Sequence, residues 1–109
     1  MLQEMPVMSS GGGGISPTLV DTSCVARVAG TLKTYTVDAT KSYFLYTTFK
    51  YNDGTFRSSV YYINKGSLTQ LTNTETQTAL TVSISGTTVT ISVGSTYSNY
   101  YDFTLVQLD

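Results

Sequence analysis

The sequence predicts an all-β protein, an antiparallel β-sandwich or jelly roll of about eight short strands with an extended N-terminal arm. Residues 79–93, ALTVSISGTTVTISV, alternate apolar and hydroxyl side chains with period two on both sides of a Gly-Thr pair. The chain contains 20 Thr and 13 Ser, and the β-branched Thr favours strands over helices. Turn-forming residues recur between short apolar runs at the spacing of a two-sheet body.

Composition divides the chain into an N-terminal arm, residues 1–20, and a β-sandwich domain, residues 21–109. The arm holds all three Met, both Pro and four consecutive Gly, a composition that neither nucleates a helix nor fills a core. We therefore expect it to be a tether that attaches the body to a larger assembly. Its anchoring side chains would be the apolar ones, Leu2, Met5, Val7 and Met8.

The first half of the body is predicted to contain four strands. They cover residues 24–31, the region of Tyr35 and Val37, residues 43–51 and residues 56–63. Asp53 and Gly54 separate the last two, and Asp-Gly between aromatic and β-branched runs is a strong hairpin signal. Cys24 is expected to be a buried small apolar residue, because it has no second Cys and no His as a partner.

The second half begins with a weak strand over residues 68–71 and a polar loop over residues 72–78. The hairpin of residues 79–93 follows. With Gly86-Thr87 as a two-residue type II′ loop, three apolar pairs face each other across the strands. These pairs are Ile84 with Val89, Val82 with Ile91, and Leu80 with Val93. A slip of one residue would turn one strand's apolar side chains to water, so the register is well determined.

The last predicted strand covers residues 100–108. Tyr101, Phe103 and Leu105 lie on one face, whereas Val106 and Leu108 lie on the other. This change of phase indicates either a bulge or a terminal strand that is buried on both sides. The sequence leaves both interpretations open.

Tyrosine is abundant, with nine Tyr and no Trp. Adjacent Tyr residues in a strand point to opposite faces, so one ring of each pair should be exposed. An exposed Tyr suits protein interfaces and stacking on sugar rings, whereas aromatic pairing that only covers a sheet is the alternative. The candidate surface-binding residues are Tyr61, Tyr62, Tyr97, Tyr100 and Tyr101.

Charge and residue inventory argue against several function classes. The net charge is −1 with six scattered basic residues, so we expect no nucleic-acid partner. There is no His, and the carboxylates are dispersed, so no catalytic residue, no cofactor and no metal site is predicted. Asp102, beside Tyr100 and Tyr101, lacks the second carboxylate that a glycosidase needs. No apolar run is long enough for membrane insertion, and the first residues do not form a secretory signal.

A Thr-, Ser- and Tyr-rich β-body behind the arm MLQEMPVMSSGGGG resembles the small accessory virion proteins of tailed bacteriophages. That family includes capsid decoration proteins, head fibres and receptor-binding tail tips. The resemblance implies a non-enzymatic protein located in the virion and made in the bacterial cytoplasm. It also implies other virion proteins as partners, an outward-facing domain and a homo-oligomer, with a trimer favoured. Attachment to capsid or tail stays open.

The alternative is a carbohydrate-binding or adhesin-like module. In that case the exposed Tyr side chains would stack on sugar rings, and the partner would be a glycan of the host surface.

Overall fold

The computed structural model describes residues 17–26, 30–50, 54–73, 80–94 and 100–109. These residues form eight antiparallel strands in two sheets, of order β1-β8-β3-β4-β5 and β2-β7-β6. The strands are β1 Thr18–Ala26, β2 Gly30–Thr36, β3 Ser42–Lys50, β4 Phe56–Asn64, β5 Ser67–Asn73, β6 Leu80–Ser85, β7 Thr88–Val93 and β8 Tyr100–Gln107. The predicted all-β body of two antiparallel sheets is confirmed.

The β6–β7 hairpin has the predicted register. Ile84 lies opposite Val89, Val82 opposite Ile91, and Leu80 opposite Val93. Gly86 has φ of 61°, which suits the first central position of a type II′ turn. The apolar side chains of the hairpin face the other sheet, where Val89 and Ile91 are fully buried.

Strands β3, β4 and β5 form a meander, and its first hairpin, β3–β4, is the one that the sequence predicted. The turn between β4 and β5 contains Lys65 and Gly66 with φ of 50° and 87°, and two consecutive positive φ values are typical of a type I′ hairpin. Strand β5 reaches Asn73, two residues into the segment predicted as a loop. The predicted turn residues 52 and 53 lie outside the described part of the chain.

The prediction of one strand over residues 24–31 is wrong. β1 ends at Ala26, and β2 begins at Gly30 in the other sheet. β1 also begins earlier than predicted, because Thr18 and Leu19 pair with Gln107 and Val106 of β8. The last residues of the predicted arm therefore belong to the body. The predicted anchor residues Leu2, Met5, Val7 and Met8 lie outside the described residues.

Strand β8 lies between β1 and β3, and the prediction that Tyr101, Phe103 and Leu105 share one face is confirmed. Tyr101, Phe103 and Leu105 are fully buried. The predicted change of phase has a simpler origin than a bulge in β8, whose pairing with β3 runs without a shift. Val106 faces outward by ordinary alternation, and Leu108 follows the end of the strand.

The core lies between the two sheets. Buried side chains from both sheets form one cluster, including Leu45, Ile63 and Phe103 from the larger sheet and Val89 and Ile91 from the smaller one. Because side chains alternate along a strand, the core residues of each sheet come from alternate positions on the side that faces the other sheet. The cluster joins the sheets into a sandwich.

Candidate functional site: the outer face of the five-stranded sheet

The two sheets differ in the side chains that they present to solvent. The described strands of the three-stranded sheet carry only Thr and Ser on their outward positions. These residues are Thr31, Thr34, Thr36, Thr81, Ser83, Ser85, Thr88, Thr90 and Ser92. The outward positions of the five-stranded sheet, here called the outer face, instead include exposed aromatic and aliphatic residues on β1, β8, β3 and β4.

At one end of the strands, the outer face carries a row of apolar side chains that crosses four neighbouring strands. Leu19, Val106, Phe44 and Tyr62 occupy adjacent register positions on β1, β8, β3 and β4. The exposed fraction is 59% for Leu19 and 40% for Phe44. The rings of Phe44 and Tyr62 lie with centroids 5.6 Å apart at an interplanar angle of 52°. This tilted geometry is one that aromatic pairs prefer, so the two side chains hold each other in place.

The centre of the outer face is polar but internally hydrogen-bonded. The Tyr46 hydroxyl donates to Ser58 Oγ at 3.3 Å, and Ser58 Oγ lies 3.0 Å from Thr48 Oγ1. The hydroxyl oxygens of Thr22 and Thr104 are 3.4 Å apart. Because these hydroxyls already have partners, covering them requires less loss of hydrogen bonding to water.

The far end of the outer face carries the two most exposed rings of the described chain. Phe56 is 70% exposed and Tyr100 is 60% exposed. Lys50 pairs with Phe56 in the β3–β4 ladder and, together with Asp102, supplies the charged side chains of the outer face. The face therefore combines apolar surface with very little charge.

Cys24 lies on the outer face and is exposed, so its predicted burial is wrong. The reason is the phase of β1, in which Val25 turns inward and Cys24 pairs across the ladder with Asp102. A hydrogen bond with Asp102 raises the pKa of the Cys24 thiol, and desolvation acts in the same direction. The thiolate is correspondingly disfavoured, which makes a nucleophilic role for this residue difficult.

A polar cluster closes the sandwich at the β1 and β2 edges. Asp21 accepts hydrogen bonds from Ser23 and from the Tyr35 hydroxyl, the latter at 2.7 Å. Lys33 Nζ lies 3.8 Å from Asp21 Oδ2 and 5.4 Å from the centroid of the Tyr35 ring. The hydrogen bonds from Ser23 and Tyr35 hold the pKa of Asp21 below its ordinary value. Burial, followed by the bond to Asp21, raises the pKa of Tyr35.

The described carboxylates stand in separate places. Asp21 lies on the inner side of β1, Asp102 on the outer face of β8, and Asp38 in the turn after β2, where its Oδ1 accepts bonds from Thr40 N and Oγ1. Asp109 accepts a bond from Ser42 N at the C-terminus. Acid–base chemistry of the glycosidase type needs two converging carboxyl groups, and these four do not converge.

The candidate surface-binding tyrosines lie on opposite faces of the five-stranded sheet. Tyr62 and Tyr100 point outward, whereas Tyr61 and Tyr101 are 5% and 0% exposed. The prediction that one ring of each pair faces outward is confirmed. The prediction that Tyr61 and Tyr101 bind at the surface is wrong, because both rings lie in the core between the sheets. Tyr97 lies outside the described residues.

Sequence reasoning missed Leu19, Phe44, Tyr46 and Phe56. A signal for the two β3 residues was present, since Tyr43-Phe44-Leu45-Tyr46 is apolar at consecutive positions. A strand with one wet face would alternate apolar and polar residues instead.

Within the described ranges, no group of three or more Cys, Asp or Glu side chains is placed to hold a metal ion. The same residues include no helix long and apolar enough to cross a membrane.

Comparisons with known proteins do not add to this geometry. A scan against protein-family models gave no match, and searches of the curated proteins and of the solved structures gave none either.

Proposed function

We propose that this chain is a non-enzymatic structural protein of a bacteriophage particle, a displayed β-sandwich whose N-terminal arm anchors it to other virion proteins. The observation that supports this most is the outer face, where exposed apolar side chains continue across four adjacent strands. Exposed apolar residues are ordinary when scattered, but a contiguous patch marks a surface that another molecule covers. The protein would act by surface contact and not by turnover.

The sequence of residues 1–20 supports attachment through the arm. The Met, Leu and Val side chains of the arm stand beside a run of Gly in the sequence, and a partner surface would cover these apolar side chains. Leu2, Met5, Val7 and Met8 are the residues that we assign to this contact. Arm and body then have separate roles, one in attachment and one in contact at the particle surface.

Deletion of residues 2–14 tests the anchor. The truncated chain keeps all eight strands, so it should fold and melt cooperatively like the full chain. It should be lost from particles purified on a density gradient from a lysate of the source phage, as judged by immunoblotting of a C-terminal tag. A second variant keeps the length of the arm and replaces only Leu2, Met5, Val7 and Met8 with Ser. It should be lost from the particles as well, because the apolar contacts are missing. Unchanged incorporation of both variants would refute the anchor.

A second candidate function, glycan binding, is favoured by one specific observation. Tyr100 and Phe56 are widely exposed rings on neighbouring parts of the outer face, and hydroxyl groups of Ser58 and Thr48 lie on the same face. Rings that stack on a sugar beside groups that hydrogen-bond to it form a common binding arrangement.

A glycan array with the full chain tests this candidate. Binding that Tyr100→Ala abolishes, while Thr81→Ala on the opposite sheet leaves it unchanged, would support a carbohydrate-binding module. An array without signal at high protein concentration would exclude glycan binding by this face for the sugars tested.

A further inference from the structure

The outer face is built for one large contact, and we propose that a second copy of this chain covers it in a two-fold, face-to-face dimer. This inference deepens the proposed function by naming the occupant of the outer face, and it rests on that proposal for the claim that the face works by contact. Three features of the described residues support it: the size of the face, its charge, and the condition of the sheet edges.

The size of the outer face fits a stable dimer. Five strands at about 4.8 Å spacing and seven to nine residues at about 3.3 Å each give a plan area of roughly 550–710 Å². Side chains that stand out from the sheet increase the accessible area further. A standard protein interface buries about 800 Å² per partner, so the two values agree.

Charge favours a copy of the same chain over a strongly charged partner. Lys50 and Asp102 are the charged side chains on the described part of the outer face, and they carry opposite signs. A symmetric contact brings each surface against itself, so a face with a large charge of one sign would repel its copy. This face carries no such excess. Lys50 is the last residue of β3, so the two Lys50 side chains that a symmetric contact brings near each other can extend into solvent.

Most edge strands of the two sheets are irregular, which disfavours pairing between the edges of two copies and leaves the outer face as the contact surface. The register shifts lie at Val20 in β1, Leu32 in β2 and Leu71 in β5, and each of these strands is at a sheet edge. Bulges of this kind disturb the row of backbone groups that a strand of another chain would pair with. Only the β6 edge is without a shift among the four described edges.

The distribution of apolar residues fixes the symmetry. The apolar row of Leu19, Val106, Phe44 and Tyr62 lies at one end of the strands, and a two-fold axis parallel to the strands places this row against itself. An axis perpendicular to the strands would place it against the opposite end. A ring of three copies would need two different complementary surfaces on each chain, whereas a two-fold contact uses one surface twice. The single apolar outer face therefore favours a dimer over the trimer that the resemblance implied.

Sedimentation velocity of the full chain over a wide concentration range tests the dimer. We expect a monomer–dimer equilibrium that Phe44→Glu weakens by about 30-fold or more, because the new carboxylate would be buried near the two-fold axis. Thr81→Glu introduces the same charge on the three-stranded sheet and should leave the equilibrium unchanged. A circular dichroism melt of each variant verifies folding.

The native Cys24 gives a second measurement that needs no substitution, because its position on the edge strand β1 places a label at the margin of the contact. It is the chain's single Cys and is exposed on β1, two strands from the middle strand β3. With sheets about 10 Å apart and strands about 4.8 Å apart, the two Cys24 positions in the dimer lie about 22 Å from each other. Electron double resonance between nitroxide labels on Cys24 measures this distance even if Phe44→Glu does not fold.

Each other outcome overturns the inference. These outcomes are a monomer at every concentration, a trimeric mass, a dimer unaffected by folded Phe44→Glu, or a label distance far above 22 Å, as pairing through the β6 edge would give. Self-association in buffer requires no particle. A monomer that still joins particles would therefore refute only the dimer, and a dimer absent from particles would refute only the proposed function.

Discussion

The depth of each hairpin residue in the core predicts how strongly its truncation lowers stability. Ile91 and Ile84 are the same residue type on the same face of one hairpin, but Ile91 is fully buried and Ile84 is only partly buried. Ile91→Ala should cost about 3–5 kcal/mol, because it removes buried methylene groups and leaves a closed cavity between the sheets. Ile84→Ala should cost only about 1–2 kcal/mol, since solvent already reaches the side chain.

Urea unfolding followed by circular dichroism measures both costs. A domain of this size has a free energy of unfolding of roughly 5–15 kcal/mol, so Ile91→Ala would remove a large part of it and still leave a folded population. Ile91→Asp should leave the chain unfolded, because a carboxylate without a partner would lie between the sheets. Equal midpoints for the two alanine variants, or a cooperative melt of Ile91→Asp, would show that the hairpin does not face a closed core.

Three further predictions concern the polar cluster, the hairpin turn and the outer face. The pKa of Asp21 is lowered in the folded chain, so the stabilisation by its carboxylate is present above the ordinary value of 3.8 and is lost as pH falls through the folded-state pKa. The difference in melting temperature between wild type and Asp21→Asn should accordingly shrink between pH 6 and pH 2, and a constant difference would contradict the cluster. Gly86→Ala should cost about 1–3 kcal/mol in chemical unfolding, since φ is 61°, whereas Gly94→Ala, with equal space and no positive φ, should change little. Because Asp102 raises the pKa of Cys24, Asp102→Asn should speed the reaction of the thiol with a disulfide reagent several-fold at pH 8 in dilute protein; an unchanged rate would exclude the contact.

Local pattern was sufficient to predict the hairpin and the shared face of Tyr101, Phe103 and Leu105 in β8. In residues 79–93 the apolar period, the β-branched residues and the turn chemistry all indicate one register, and no distant contact is needed to select it. For the Tyr pairs, alternation alone predicted that one ring of each faces outward. It could not predict which ring, because that depends on where the second sheet lies.

β1 could not be predicted because two of its inward side chains, Asp21 and Ser23, are polar. Asp21 and Ser23 face the other sheet, and they do so because Tyr35 and Lys33 of β2 provide hydrogen-bond and ionic partners there. Those partners lie across the sandwich, so the local sequence around Asp21 resembles a turn. The same phase turns Cys24 outward, where sequence reasoning had expected burial.

The solvent-facing sides of the two sheets differ in composition, and this difference supports the outer face as the contact surface that we propose. Both sheets bury one side in the same core, and stability of the core does not require apolar residues on the other side. On the three-stranded sheet that other side is made of Thr and Ser, which suit a wet pleated surface. If the aromatic residues of the outer face served only strand propensity, Thr at Phe44 and Tyr46 would serve it about as well. Replacing both with Thr should therefore leave a folded sandwich that has lost self-association, and a double variant that still dimerised would place the contact elsewhere.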